Sequence, residues 1–198
     1  KGTGETRRDV VDEVRRWLAA EHGITLVASL GFENAYGFAV RRETADRLRL
    51  KSLSDLARQA PALSLASDYE FFAREEWRAV RSAYGLAFRE QRTMDPSLLY
   101  AAIEAGEVDV ITAYTSDGRI DALFLAVLED EREVLPPYDA VVLASPRLAR
   151  AAPDVLAAVR SLEGAIDAAT MRALNRRVDE QGLSPAAAAR FFTAPARA

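Results

Sequence analysis

The sequence has no cysteine and a single histidine, His22. The first absence removes disulfides, thiolate metal sites and cysteine nucleophiles together, although it does not fix a compartment. The second argues against a zinc site or a serine–histidine triad, both of which normally need histidine inside a pocket. His22 stands in AEHGITL, just before a glycine. It reads as a solvated helix-terminal side chain, where a histidine suits the helix dipole. There is no Gly-rich phosphate loop, no GxSxG and no HExxH. The acidic pairs Asp12–Glu13, Glu75–Glu76 and Glu129–Asp130 read as solvated charges, and nothing singles out a catalytic pair. No run reaches the roughly 18 apolar residues of a membrane span, and no signal peptide is visible. The opening KGTGETRRD carries no methionine. It reads as the start of a processed or excised piece, so a missing signal says nothing about location.

What is present suits a soluble globular chain. The 198 residues are 49% hydrophobic and 28% charged, enough for one ordinary domain or two small lobes. The net charge is −4, with 26 basic and 30 acidic side chains well mixed. No basic stripe points to nucleic acid or to an anionic membrane.

Periodicity then places the elements. In TRRDVVDEVRRWLAAE, Val10, Val11, Val14, Trp17 and Leu18 form one helical stripe, with Thr6 and Asp9 resembling a cap. ITLVASL reads as a strand. Beyond it, strands alternate with helices: GFAV, then helix 52–60 capped by Ser52 or Ser54 and stopped near Pro61. Strand 62–67 is followed by helix 70–85 ending at Gly85. LAFREQ, the helix DPSLLYAAIEAG with Pro96 in its first turn, and strands 107–114 and 124–130 follow. This alternation argues for an α/β sheet with parallel pairing. PPYDAVVLAS adds a strand after two prolines, and the remainder reads as a packed helical tail with solvated faces. Three segments result: an opening piece (1–30) too small to hold a core alone, a central α/β lobe (31–135), and a closing piece (136–198) that returns to the first. The chain would cross between lobes near residues 31 and 136.

Three tyrosines, Tyr36, Tyr114 and Tyr138, sit at segment boundaries. In open α/β sheets ligands bind beyond strand ends, and in two-lobed proteins the crossovers line the cleft. Several aromatic faces around one space suit a quaternary ammonium, which cannot donate a hydrogen bond. Ordinary amphipathic tyrosines at strand ends give the same spacing. Asn34 and Tyr36 lie two apart in GFENAYGFAV, which puts them on one face of an extended chain. Arg74, read in the first turns of its helix, offers a fork for a carboxylate or a surface pair with Glu70 four residues earlier. Asp117 in TSDG reads as a turn or cap residue.

Taken in order, GFENAYGFAV, SLSDLA, FFAREE, GEVDVITAYTSDGRI, LEDEREVLPPYDAVVL and LNRRVDEQGLSPAAAARFF resemble the substrate-binding proteins of osmoprotectant ABC transporters, the glycine betaine/choline-binding OpuAC family. The likeness runs over nearly the whole chain. It implies a type II-like periplasmic-binding-protein fold whose two lobes close on the ligand like a hinge. By motif position it makes Tyr36, Tyr114 and Tyr138 the walls of an aromatic box around a trimethylammonium head. It makes Arg74 the grip on a ligand carboxylate and places Asn34 and Thr115 beside the box. The expected partners are a small quaternary ammonium ligand and an ABC permease, with no cofactor, no metal and no nucleic acid. The expected location is extracytoplasmic, periplasmic or cell-surface, with a lipid anchor or fused permease outside this chain. One departure stands out: family chains begin with further βα units of the first lobe, ending in a segment like EYTGT, where this chain has only KGTGET. The expectation is an incomplete first lobe whose exposed apolar surface favours association. Two rival readings remain: an effector-sensing domain of a regulator on the same fold, and an enzyme, for which no catalytic constellation speaks.

Overall fold

The computed structural model describes residues 7–193. The expected cap at Thr6 lies outside the described residues. The chain divides into two compact units, residues 1–34 with 137–170 and residues 35–136 with 171–198.

The first unit opens with helix α1 (Arg7–His22). It stops because Gly23 takes a left-handed φ of 63° and the Ile24 amide reaches back to the Leu18 carbonyl at 3.0 Å. His22 ends α1 as expected, its ring edge-on to Trp17 at 4.8 Å. Strand β1 (Thr25–Glu33) is longer than ITLVASL and pairs antiparallel with a late strand (Asp139–Ala144), from Thr25 opposite Ala144 to Glu33 opposite Asp139. Two-stranded ribbons are marginal alone. Here residues 164–166 run alongside: the Gly164 and Ile166 amides donate to the Ser29 and Leu30 carbonyls at 2.9 and 3.0 Å. Gly31 permits that approach, since a Cβ there would stand 3.0 Å from the Gly164 backbone. The core is small: Val27, Ala144 and Leu156. Trp17 and Leu143 remain about half exposed.

The second unit is a five-stranded sheet. Its strands are β2 (Tyr36–Arg41), β3 (Ser64–Ser67), β4 (Glu90–Thr93), β5 (Val110–Tyr114) and β6 (Leu125–Val127), in the order β4–β3–β5–β2–β6. The ribbon strand Asp139–Ala144 is then β7. Pairing is parallel for β3 with β4 and β5, but antiparallel for β2 with β5 and β6. The expected parallel pairing holds for β3 with β4 and β5 and fails at β2, which runs against its neighbours, so the sheet is mixed. In β2, Tyr36, Phe38 and Val40 belong to one core with α3 (Leu53–Gln59) and α4 (Glu75–Tyr84). Ala39 belongs to a second core with α5 (Pro96–Glu104). Burial of both faces explains why this strand reads as an apolar run rather than as an alternation.

Local signals behave as their chemistry requires. Ser52 caps α3 in a reciprocal box with Asp55. Asp95 caps α5 with Pro96 behind it, and Gly85 closes α4 in the left-handed region. Short helices α2 (Arg42–Leu48) and α6 (Arg119–Ala122) lie between strands, and α7 (Pro146–Ala151) and α8 (Pro153–Arg160) follow β7. The closing stretch does not stay together. Residues 137–170 group with the opening piece, whereas 171–198, holding most of α9 (Ala168–Asp179) and all of α10 (Pro185–Thr193), group with the central sheet.

Candidate functional site

The six residues singled out from the sequence fall into two groups. In the second unit, the antiparallel register sets Tyr36 on β2 directly opposite Tyr114 at the end of β5. Directly opposed side chains on adjacent strands touch, and the two rings lie 4.9 Å apart at 33°. The Tyr114 hydroxyl donates to the Tyr36 hydroxyl at 3.2 Å, and the Tyr36 hydroxyl donates to Asp68 Oδ2 at 3.2 Å. The other Asp68 oxygen accepts the amides of Glu70 and Phe71 at 2.8 and 2.9 Å. A carboxylate fixed in that way anchors the whole chain of hydroxyls.

Tyr36 is nearly buried, its ring also 4.8 Å from that of Phe71, whereas Tyr114 is 42% exposed. Tyr114 is therefore the ring with a face to offer. The Arg74 guanidinium lies over the Tyr36 ring, 5.6 Å from its centroid. Arg74 is not inside a helix, as its sequence position suggested. A single turn of tighter helix (Phe71–Ala73) comes first, and Arg74 is the extended residue just before α4. It stands 3.5 Å from Glu70, the pairing that its sequence position also allowed, and 3.4 Å from Glu76. Thr115 joins the two strand ends. Its amide donates to the Ala35 carbonyl at 2.9 Å, and its hydroxyl accepts from the Ala35 amide at 3.1 Å. Asp117 is a turn residue, as expected, accepting from the Arg119 backbone at 2.9 Å and from its guanidinium at 2.7 Å. Burial works against its charge, but those bonds hold the carboxyl below its ordinary range.

The first unit holds the other two residues. The Asn34 amide donates to the Tyr138 carbonyl at 3.1 Å, and the Tyr138 amide donates to Glu33 at 3.3 Å. Asn34 is exposed and Tyr138 is 39% exposed. Asn34 and Tyr36 do not share a strand: β1 ends at Glu33, β2 begins at Tyr36, and the boundary between units falls after Asn34. Sequence reasoning missed Asp68. Its signal was an aspartate two and three residues ahead of the amides it caps, a common turn pattern, but its place under Tyr36 is invisible in one dimension.

Three hydroxyls are pushed well above the ordinary tyrosine range. Burial is the chief cause for each, joined by the Tyr114 hydrogen bond and the Asp68 charge at Tyr36, by Asp130 at Tyr84, and by Asp117 at Tyr100. The unfolded chain releases these protons first, near pH ~10. Their contribution to stability is therefore complete below pH ~10 and is lost as the pH rises beyond it. In an alkaline titration followed at 295 nm, these three of the six tyrosines will ionise only as the native circular dichroism is lost. Ionisation of all six with the dichroism intact would contradict the packing described.

The family described as the substrate-binding domain of ABC-type glycine betaine transport systems matches residues 3–194. The carnitine transport binding protein OpuCC of Listeria monocytogenes is 32% identical over 83% of this chain and 54% of its own length. The ergothioneine transport permease/ergothioneine binding protein EgtU of Helicobacter pylori is 28% identical over 94% of this chain and 34% of its own. The chain thus spans about half or less of those two relatives. A solved glycine betaine/carnitine/choline ABC transporter structure superposes with a TM-score of 0.89 at 32% identity, covering 95% of this chain and 69% of the other. The expected type II periplasmic-binding-protein class is the fold shared with these neighbours.

Proposed function

We propose, for a chain that belongs to the substrate-binding domains of ABC-type glycine betaine transport systems, that it holds a trimethylammonium carboxylate and hands it to a membrane permease. The observation that carries this reading is the tyrosine pair with an arginine beside it: Tyr36 and Tyr114 facing at 4.9 Å, and Arg74 5.6 Å from the Tyr36 ring. The exposed Tyr114 ring attracts a cation that cannot donate hydrogen bonds. Arg74 attracts a carboxylate. One zwitterion satisfies both, and a bare cation does not. Carnitine and ergothioneine, for which the two relatives are named, share this combination with glycine betaine. Thr115 sets the spacing of the strand ends. Tyr138 and Asn34 join the ligand-binding residues in this reading by their motifs PPYDA and ENAY alone. No bond of the ligand is made or broken. The working place is outside the cytoplasm, where a permease takes up its solute.

Calorimetric titration with glycine betaine, carnitine and choline tests the reading. Arg74→Ala will weaken the two carboxylate ligands by about tenfold to a hundredfold, the loss of one charge-assisted bond of ~1.5–3 kcal/mol. Choline, which has no carboxylate, will lose little or gain. Equal losses for all three would remove Arg74 from the site.

A further inference from the structure

The Tyr114 ring can be no better placed than the turn that follows it. Tyr114 ends β5, and residues 115–118 turn directly into α6. Two carbonyls of that turn are taken up by one helix face. Arg172 Nη1 donates to the Thr115 carbonyl at 3.2 Å, and Asn175 Nδ2 donates to the Ser116 carbonyl at 2.8 Å. Both donors stand on α9, three residues apart, which puts them on the same face. Arg172 does more than close one bond. Its Nε donates to Asp121 Oδ1 on α6 at 3.1 Å, so a single guanidinium spans both sides of the turn. Ser116 is itself buried. Gly118 makes room for α9: a Cβ there would stand 2.6 Å from the Arg176 Cα. The helix that holds the turn is also a crossing. Residues 168–170 of α9 count with the first unit, and Met171 onwards with the second.

We propose that Arg172 and Asn175 are positioning residues: they hold the Thr115–Ser116 turn so that Tyr114 meets its ligand, and they tie that turn to the helix in which the chain crosses between units. Neither residue needs to touch the ligand. The proposal rests on the ligand reading above only for its binding readout. Its physical core is that two side-chain donors fix carbonyls that would otherwise face water.

The test pairs titration with hydrogen exchange on the whole chain. The variants are Arg172→Ala with Asn175→Ala, each single change, and Arg172→Lys. Arg177→Ala is the control, since Arg177 sits on the same helix but stacks on Phe191 at 3.8 Å. In the double variant, glycine betaine binding will weaken by about tenfold, the worth of a charge-assisted hydrogen bond. The amides of Thr115 and Asp117 will exchange at least tenfold faster by the same reckoning. Arg172→Lys will recover part of both effects, because a lysine keeps the charge without the fork. Arg177→Ala will leave both readouts unchanged. A folded double variant with wild-type affinity and wild-type exchange at those amides overturns the proposal. If the unaltered chain binds none of the ligands, the ligand reading falls, and exchange at Thr115 and Asp117 alone decides the positioning role. Should the double variant not fold, the same comparison is made with Asn175→Ala.

Discussion

Replacing Tyr114 with alanine will weaken glycine betaine binding by about tenfold to a hundredfold while leaving the fold in place. Exposure decides the second half of that statement. Tyr114 is 42% exposed, and its ring meets the Tyr36 ring at 4.9 Å. Truncation therefore opens no cavity inside the core, in contrast to the same change at nearly buried Tyr36. The binding loss has two sources. One is the aromatic face itself, worth ~0.5–2 kcal/mol to a desolvated cation. The other is the hydroxyl that donates to Tyr36 at 3.2 Å, a bond of ~1 kcal/mol that helps to orient the neighbouring ring. Together they give the stated range. Tyr114→Phe separates the two: the ring stays, the donor goes, and the loss should be only a few-fold. Titration calorimetry with circular dichroism as the fold control makes the measurement. Wild-type affinity in folded Tyr114→Ala would place the cation elsewhere.

Part of this arrangement was legible in the sequence and part was not, for identifiable reasons. The strand around Phe38, the helix start capped at Ser52 and the helix with Pro96 in its first turn follow from local chemistry, which neighbours in sequence dictate. The direction of β2 does not. Strict alternation of strands and helices argues for parallel neighbours, but β2 follows β1 with only Asn34 and Ala35 between them and runs antiparallel to β5 and β6. The pairing of Tyr36 with Tyr114 spans 78 residues; motif resemblance brought the two together, and spacing alone left them as ordinary strand-end tyrosines. Arg74 was misplaced because Asp68 draws the amides of Glu70 and Phe71 into a turn before α4 can begin. Helix α9 shows a further limit. Its amphipathic period announces that one face will be covered, but not by what. The gripping of the turn by Arg172 and Asn175 appears only in three dimensions.

Phe71→Ala will cost about 3–5 kcal/mol of stability, the range for emptying a fully buried aromatic site. Phe71 has no exposed surface. It meets Tyr36 at 4.8 Å, Trp77 at 5.8 Å and Phe38 at 5.9 Å, so the cavity has three stiff rings as walls and collapses poorly. Against a typical total of ~5–15 kcal/mol this is a large fraction. Urea unfolding at equilibrium reads it directly, and a loss below about 1 kcal/mol would contradict the packing. The same substitution reaches the ligand wall. The Phe71 ring packs on Tyr36 at 4.8 Å, its amide binds Asp68, and its carbonyl accepts from the Arg74 amide at 3.0 Å. Those two backbone bonds survive truncation, whereas the ring support does not. Where the variant remains folded, affinity should therefore fall through Tyr36, and Phe71→Leu should restore much of both properties by refilling the space. Lost stability with unchanged affinity would mean that β2 and the hydroxyl chain to Asp68 hold Tyr36 without help from the core. Parallel losses would mean that the aromatic core and the ligand wall are one packed cluster, in which a ligand that stabilises the wall also stabilises the fold.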